Sequence, residues 1–391
     1  MIDVPLSKID LATIDALISN GVTESQTLDF KADLSLTTPD DKKEFLKDVS
    51  AFANAAGGDL VLGVTQDKAT GAANGRPGIA IPKFDSWMQT LENLLHSSID
   101  PRLPAVAFHP IPLGGDLFVV VLRIRQSWYG PHRVELGRSK FYGRHSAGVF
   151  EMNVTQLRNA FTLSDTLTKR VQDFRDERLA RIVSNAGAIG LKEGAKLVVH
   201  ACPIASFAGQ IQLSQSTLQS DGALMTPLGS SGTNFSNVLE GFMTYSGRED
   251  DPTSRAYTLS LRNGVVEFVT TFTPTQTEKG TIQRYLWLGD VEAGMISAFD
   301  KFMKYYKFVG ITPPLYAFVS IVDALGYDVR RDSYGRPQPL RRHDLMLPEV
   351  EVTDESFDCY RELKPTCDIL WNAFGYSGSP NFRSGAWRRP T

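Results

Sequence analysis

The chain has 391 residues, 42% of them apolar and 22% charged, with 41 Lys and Arg against 44 Asp and Glu for a formal net charge of −3. That length allows two domains, each with its own core. The slight acidic excess excludes a globally cationic nucleic-acid binder, so any such contact must use a local patch. Three cysteines, Cys202, Cys359 and Cys367, are too few and too far apart for a disulfide framework or a Cys-rich zinc site, which fits a reducing cytoplasm. The N-terminus lacks a signal peptide's basic start and apolar core. No stretch approaches about 18 uninterrupted apolar residues, so no membrane contact is expected.

In chain order, residues 7–19 predict a short amphipathic helix with Ser7 as N-cap and Ile9, Leu11, Ile14, Leu17 and Ile18 as its stripe. Thr27 to Lys31 predicts a short strand, with Leu28 and Phe30 on one face and Thr27, Asp29 and Lys31 on the other. A helix begins near Pro39-Asp40-Asp41, where acids suit the positive end of the dipole, and buries Phe45, Val49, Phe52 and Ala53. Gly57-Gly58 ends it, with at least one of the two expected at positive φ. Leu60 to Val64 reads as a buried strand, 67–80 as a Gly-rich loop, and 84–98 as a helix with Trp87, Leu91, Leu94 and Leu95 inward. Asp116 to Gln126 reads as a strand ending in Arg123 and Arg125 on one face.

A helix over 163–184 carries charges of alternating sign and is expected to be a solvent-washed connector docked on one face. A second domain follows, with a strand through Lys196–Ile204 and a Ser/Gly/Gln-rich loop over 209–234. Tyr257 to Phe272 predicts a hairpin in which Asn263-Gly264 supplies a type I′ turn. Next come a helix over 290–307, a buried strand from Leu315, a last helix over 356–374 and a loose tail.

Two constellations point to chemistry. In the first, Asp29 and Lys31 stand at i, i+2 on one strand face. Metal-dependent nucleases need that arrangement, in which the carboxylate holds a divalent cation and the lysine orients water or offsets phosphate charge. A salt-bridged, exposed strand face has the same pattern. The second is a basic and aromatic stripe: Arg123, Arg125, Arg133, Arg138, Lys140, Tyr142, Arg144 and His145, with Trp128 and Phe141 interleaved and Glu135 opposing. Guanidinium groups take phosphate bidentately and aromatic rings stack on splayed bases. A charged sheet edge over core aromatics is the structural alternative. The Gly-rich runs Gly71–Gly78 and Pro227–Asn234 lack the Gly-Lys-Ser/Thr ending of a Walker loop, so no ATP is expected as a cofactor.

Glu24, Asp29-Phe30-Lys31, the run Val49–Gly58 with its Ser-Ala-Phe-Ala-Asn-Ala-Ala-Gly-Gly, and the strand after it resemble the Schlafen AlbA_2 domain. The resemblance continues through Gly137–Phe161, where Tyr142-x-Arg144 precedes a small polar turn and a helix. It spans about residues 20–162. The rest is similar to the C-terminal part of bacterial proteins that carry this domain. Nuclease-competent members have a glutamate, a second acid five residues on, and an aspartate just after the strand that follows the Gly-Gly turn. Glu24 and Asp29 match the first two, with Asp29 in place of the more usual glutamate. Thr65 stands where the third acid is usual, and Asp67 is the nearest carboxylate. The resemblance therefore implies Glu24, Asp29 and Asp67 as ligands for Mg²⁺ or Mn²⁺, with Lys31 completing a catalytic set.

The resulting expectation is a two-domain α/β (α+β) protein. It has an N-terminal helix (1–19), a mixed-sheet AlbA_2-like nucleic-acid-binding domain (20–162), a linker helix (163–189) and a C-terminal α/β domain with a mixed sheet (190–391). The expected partner is RNA or DNA, and a homo-oligomer is compatible with the sequence. The resemblance adds metal-dependent endoribonuclease action on tRNA-like RNA in antiviral, anti-phage defence. The alternative is a non-catalytic DNA-binding or regulatory module whose second domain senses a ligand or partner. A nucleotide-binding protein is the third reading. Catalysis versus binding stays open at this level.

Overall fold

The structure, a computed structural model of the full chain, describes residues 1–67, 69–103, 106–137, 139–146, 148–220, 222, 224–230, 232–247, 251–331, 338–353 and 355–389. The class is α/β with mixed sheets, and the chain forms two compact units, Met1–Thr166 and Leu167–Thr391. Among the described residues no helix is long and apolar enough to cross a membrane.

The first unit is built on a five-stranded mixed sheet. Strand β1 (Leu28–Lys31) runs parallel to β2 (Gly58–Leu62), and β8 (Leu117–Ile124) pairs antiparallel with β2, β5 (Ile79–Ala80) and β7 (Ala107–Gly114). Helices α2 (Pro39–Ala53) and α3 (Phe84–Ser98) pack on one face through Phe45, Leu46, Val49, Phe52, Leu91 and Leu95, against Leu60, Leu62, Val120 and Leu122. Helix α1 (Leu11–Ser19) covers the other face, burying Ile14 with Leu28, Phe30, Val61, Val119 and Val121. Its N-cap is Asp10, which exchanges hydrogen bonds with Thr13; Ser7 lies instead in a separate 3₁₀ turn. The residues expected as a Gly-rich loop contain β5 and β4 (Ala73–Gly75), which pairs with β3 (Thr65–Gln66) just before the loop. A second, antiparallel sheet joins β6 (Ile99–Asp100), β9 (Arg133–Val134), β10 (Lys140–His145) and β11 (Gly148–Glu151).

Helix α4 (Val154–Val183) starts nine residues before the expected 163, because Asn153 and Gln156 cap each other with two 2.9 Å bonds. Its later part belongs to the second unit. There an eight-stranded antiparallel sheet has the order β14 (Asn234–Asn237), β15 (Gly241–Tyr245), β17 (Ala256–Leu261), β18 (Val266–Phe272), β13 (Ala195–Pro203) and β22 (Leu315–Val322), with β25 (Leu345–Met346) and β26 (Val350–Val352) both on β22. Parallel pairs occur in the small sheets, β12 (Gly190–Leu191) with β16 (Thr253–Ser254), and β21 (Tyr285–Trp287) with β23 (Asp328–Arg330). Strand β24 (Gln338–Pro339) extends the latter, and β19 (Thr275–Gln276) pairs with β20 (Ile282–Gln283).

Alternation along β13 sends Leu197, Val199 and Ala201 toward α7 (Leu288–Val309) and Val198 and Cys202 toward α4, so the sheet is sandwiched between these helices. On the α4 side a fully buried Glu267 accepts from Arg178 (2.8 and 2.7 Å) and Tyr257 (2.7 Å) and bonds His200 Nε2 at 2.9 Å. Burial opposes this charge, but the Arg178 and His200 bonds outweigh it and hold the carboxyl well below its usual range.

Three local readings are corrected here. The β17–β18 turn is not type I′, since only Gly264 of the Asn-Gly pair has positive φ (+86°). The Gly264 N–H to Leu261 carbonyl bond (2.9 Å) and the Leu261 N–H to Val265 carbonyl bond (2.8 Å) make a three-residue loop ending in a glycine bulge. The 209–234 stretch contains α6 (Gln215–Gln219), capped by Ser214 and preceded in the chain by the one-turn α5 (Ile204–Phe207). The tail is not loose: after α8 (Cys359–Glu362) and α9 (Lys364–Asn372) it forms a hairpin, β27 (Phe382–Arg383) with β28 (Ala386–Trp387), packed on the α7 core.

Candidate nucleic-acid interface and its buried ion cluster

Parallel pairing sets Asp29 opposite Leu60. The Leu28/Phe30 face of β1 thus meets the α1 side, and the Asp29/Lys31 face meets α2 rather than solvent. Helix α2 answers with Asp48, which shares the buried stripe of Phe45, Val49 and Phe52. Lys31 Nζ lies 3.3 Å from Asp29 Oδ2 and 3.2 Å from Asp48 Oδ2. From β10, Arg144 places Nη1 3.0 Å from Asp29 Oδ2 and donates at 3.3 Å to the carbonyls of Leu28 and Ser25. Its guanidinium sits 4.4 Å from the centroid of Phe52. Glu24 accepts from the Phe30 N–H at 3.3 Å and hydrogen-bonds Asp29. The Asp29 and Arg144 side chains are 4% and 3% exposed, whereas Lys31 is 39% exposed and forms the mouth of the cluster.

Protonation follows from this geometry. Burial, the hydrogen bond to Asp29 and its charge push Glu24 up to about 7. Burial also opposes ionisation of Asp29, but the Glu24 hydrogen bond and the charges of Lys31 and Arg144 outweigh it and hold Asp29 below its ordinary value. Burial works against the Lys31 ammonium, but Asp48 and Asp29 raise it, and burial raises Asp48 against the pull of Lys31. With Glu24 protonated, two carboxylates face two cations and the cluster is self-neutralised. Above neutrality Glu24 ionises and leaves one negative charge in excess. A carboxyl poised at pH 7 is suited to proton transfer.

The expected metal set does not assemble around these residues. Asp67 Oδ1 caps its own turn, accepting from the N–H groups of Ala69 (3.0 Å) and Thr70 (2.8 Å) and from the Thr70 hydroxyl (2.9 Å), and it is exposed. Those bonds, the Thr70 N–H first, hold its pKa low. Asp29 is already compensated by Arg144 and Lys31. Among the described residues no group of three or more His, Cys, Asp or Glu side chains is placed to hold a metal ion. The donors present therefore do not fit a Mg²⁺ or Mn²⁺ centre built on Glu24, Asp29 and Asp67.

The basic stripe does not form one cationic face either. Opposite Asp59 in the β2–β8 register, Arg123 binds it at 2.8 and 2.9 Å and donates to the carbonyls of Ile2 and Val4. Tyr142 and Arg144 lie two apart on the face of β10 turned to α2, so Tyr142 is core and Arg144 is consumed by Asp29. Arg133 pairs with Glu135 (2.7 Å) and Asp100 (3.3 Å), and Lys140 with Glu151. Arg125 is half-buried just past β8, and the exposed His145 ring stacks on Phe150 at 4.9 Å. Arg138 lies outside the described residues.

Sequence reasoning missed Asp48 and Asn54. Asp48 sits at i+3 from Phe45 and i−4 from Phe52, and a carboxylate on an apolar stripe is a readable signal. Asn54, from the Ser-Ala-Phe-Ala-Asn run, donates at 2.9 Å to the carbonyls of His132 and Tyr142 and accepts from the His132 N–H at 2.6 Å, which ties α2 to the second sheet. Gly57 closes the run at φ +71°, and a Cβ there would lie 2.7 Å from the Gln126 nitrogen.

Residues 24–153, a third of the chain, match the family model described as Schlafen, AlbA_2, a family associated with nucleic-acid binding. No curated protein matches the sequence. Solved structures that resemble it include the DIP2311 protein from Corynebacterium diphtheriae, at 17% identity over 37% of this chain and 26% of that one, with a TM-score of 0.25. Another is the N-terminal domain of a RecG-related protein from Nitrosomonas europaea, at 22% identity over 34% of this chain and 84% of that one, with a TM-score of 0.26. The match therefore spans about a quarter of the first of these proteins.

Proposed function

We propose that residues 24–153, the stretch with the Schlafen AlbA_2 match, are a nucleic-acid-binding module that binds without metal-dependent cleavage. The family match carries the binding half of this reading. The self-neutralised Glu24–Asp29–Lys31–Asp48–Arg144 cluster carries the other half, because its carboxylates are matched by protein cations. The first unit has 16 Lys and Arg against 19 Asp and Glu, so phosphate contact must be local. Lys42 and Lys43, on the first turns of α2, pair with no described acid and are the candidate contacts.

A second reading, cleavage of tRNA-like RNA in anti-phage defence, has one observation in its favour. Two carboxyls, Glu24 and Asp29, sit side by side and share a hydrogen bond, and such a pair can exchange its proton for a cation. Arg144 would have to leave Asp29 for that to happen.

Both readings are tested on the intact chain with labelled tRNA, single-stranded RNA and duplex DNA, by anisotropy over about 50 to 200 mM salt. Binding should weaken with salt, and Lys42→Ala with Lys43→Ala should reduce the slope by about one per lost phosphate contact. No binding to any of the three would end the proposal. Cleavage that needs manganese and disappears in Asp29→Asn and Glu24→Gln would replace it with the nuclease reading.

A further inference from the structure

In the second unit a cavity of about 520 Å³ lies among α7, the start of the Gly/Ser-rich run Pro227–Asn234, and the C-terminal hairpin β27–β28. That volume suits a small organic ligand. Tyr360 and Trp387, with ring centroids 6.4 Å apart, give it aromatic walls. The Trp387 indole N–H is shut off from solvent, so Trp387 offers the cavity its ring rather than its donor.

The polar lining is unbalanced. Arg255, Lys301 and Arg389 face it against Asp290 and Asp300, and Asp300 is already held by Lys304 at 2.7 Å. Lys301 donates to the Thr226 carbonyl at 2.8 Å and to the Thr226 hydroxyl, leaving one ammonium hydrogen available, and burial pushes its pKa down. Arg255 makes one long bond, 3.4 Å, to the Thr271 carbonyl.

The aromatic wall is firmly placed. Glu292, fully buried on α7, accepts from Trp371 Nε1 (3.0 Å), the Ser379 hydroxyl (2.6 Å) and Asn381 Nδ2 (2.6 Å). This clamp holds residues 379–381 on the helix and seats the hairpin that ends in Trp387. The Pro227–Asn234 run lacks the lysine of a Walker loop, and here the cations come from the bend between β16 and β17, from α7 and from the tail instead.

We propose that this cavity binds a small nucleoside phosphate, with the base against Trp387 and Tyr360 and the phosphate charge met by Arg255, Lys301 and Arg389. A planar ring with attached anionic oxygens satisfies both the walls and the excess of cations, whereas a nucleoside or an inorganic anion alone satisfies one of them. This goes beyond the nucleic-acid reading, which concerns the first unit.

The test is calorimetry on the full chain with AMP, GMP, CMP and UMP and their triphosphates up to about 1 mM. Adenosine and pyrophosphate are the single-feature controls. At least one nucleotide should bind, and more tightly than either control. Trp387→Ala and Lys301→Met should each weaken it about tenfold or more, whereas Arg341→Ala, outside the cavity, should not. Circular dichroism and melting temperature report whether the variants stay folded. If Trp387→Ala unfolds the tail, Trp387→Leu keeps an apolar side chain there, deletes the stacking ring and should still weaken binding. No nucleotide bound at 1 mM, or binding that survives both Lys301→Met and Trp387→Leu, overturns the assignment.

Discussion

Replacing Arg144 by Met removes the guanidinium from Asp29 while keeping much of the side chain's length over Phe52. Removing one partner of a buried ion pair costs about 3 to 5 kcal/mol, because the other charge is left buried and uncompensated. In this cluster Lys31 remains 3.3 Å from Asp29, and the Glu24 hydrogen bond remains too. The low end, about 3 kcal/mol, is therefore expected. The loss should depend on pH with a definite sign. In the native protein the Asp29 pKa is depressed, so its contribution is present above the unfolded value of about 3.9 and is lost as pH falls through the folded one. Without Arg144 the Asp29 pKa rises from its native position, so the variant is penalised most near neutrality and least in acid. Hydrogen exchange of the β1 and β2 amides reads the opening free energy of this unit without assuming that the whole chain unfolds in one step. A loss below about 1 kcal/mol at pH 7, or one of the same size at pH 4, would refute the reasoning.

Glu24, raised to about 7 by burial and by Asp29, contributes fully below its unfolded pKa of about 4.3, and that contribution is lost as pH rises through 7. Glu24→Gln should therefore melt like the native protein at pH 4 and at a higher temperature than it at pH 8; equal melting at both would count against the shared proton. Asn54→Ala deletes three bonds between α2 and the second sheet and should cost about 2 to 3 kcal/mol in denaturant titration. Gly57→Ala, at φ +71° with backbone at 2.7 Å, should cost more than about 1 kcal/mol, and a neutral effect would contradict the geometry. Glu267→Gln leaves Arg178 buried beside a neutral amide and should lower stability by about 3 kcal/mol or more.

The period of the apolar residues made much of the fold legible. The alternation in Thr27–Lys31, the stripe of α2 and the Gly-Gly stop all have local causes and appear where expected. The candidate site was legible only as a set of residue types. Asp29 and Lys31 do share a face, but whether solvent or another element covers that face depends on how α2 packs, and no residue within β1 encodes it. The arginine stripe shows the same limit. Arg123 and Arg144 look like free cations in sequence, and their partners, Asp59 and Asp29, stand 64 and 115 residues away. The tail was misread because a run rich in Gly, Ser and Pro has no periodicity, while its anchor, Glu292, lies on α7.

The bonding around Glu267 has a consequence for how this sequence can drift. Val265 and Val269 flank Glu267 on the α4 side of β18, and Val266 and Phe268 point to the opposite core. A one-residue slip of that strand would drive a carboxylate into the α7 core and strand Arg178, His200 and Tyr257, so the four side chains fix the register of the central strands. Any single one of them is therefore a poor place for an isolated substitution. Relatives of the second unit should keep Arg178, His200, Tyr257 and Glu267 together or lose them together in favour of apolar residues of similar volume. Paired variation at these columns would mark which homologues share this sheet.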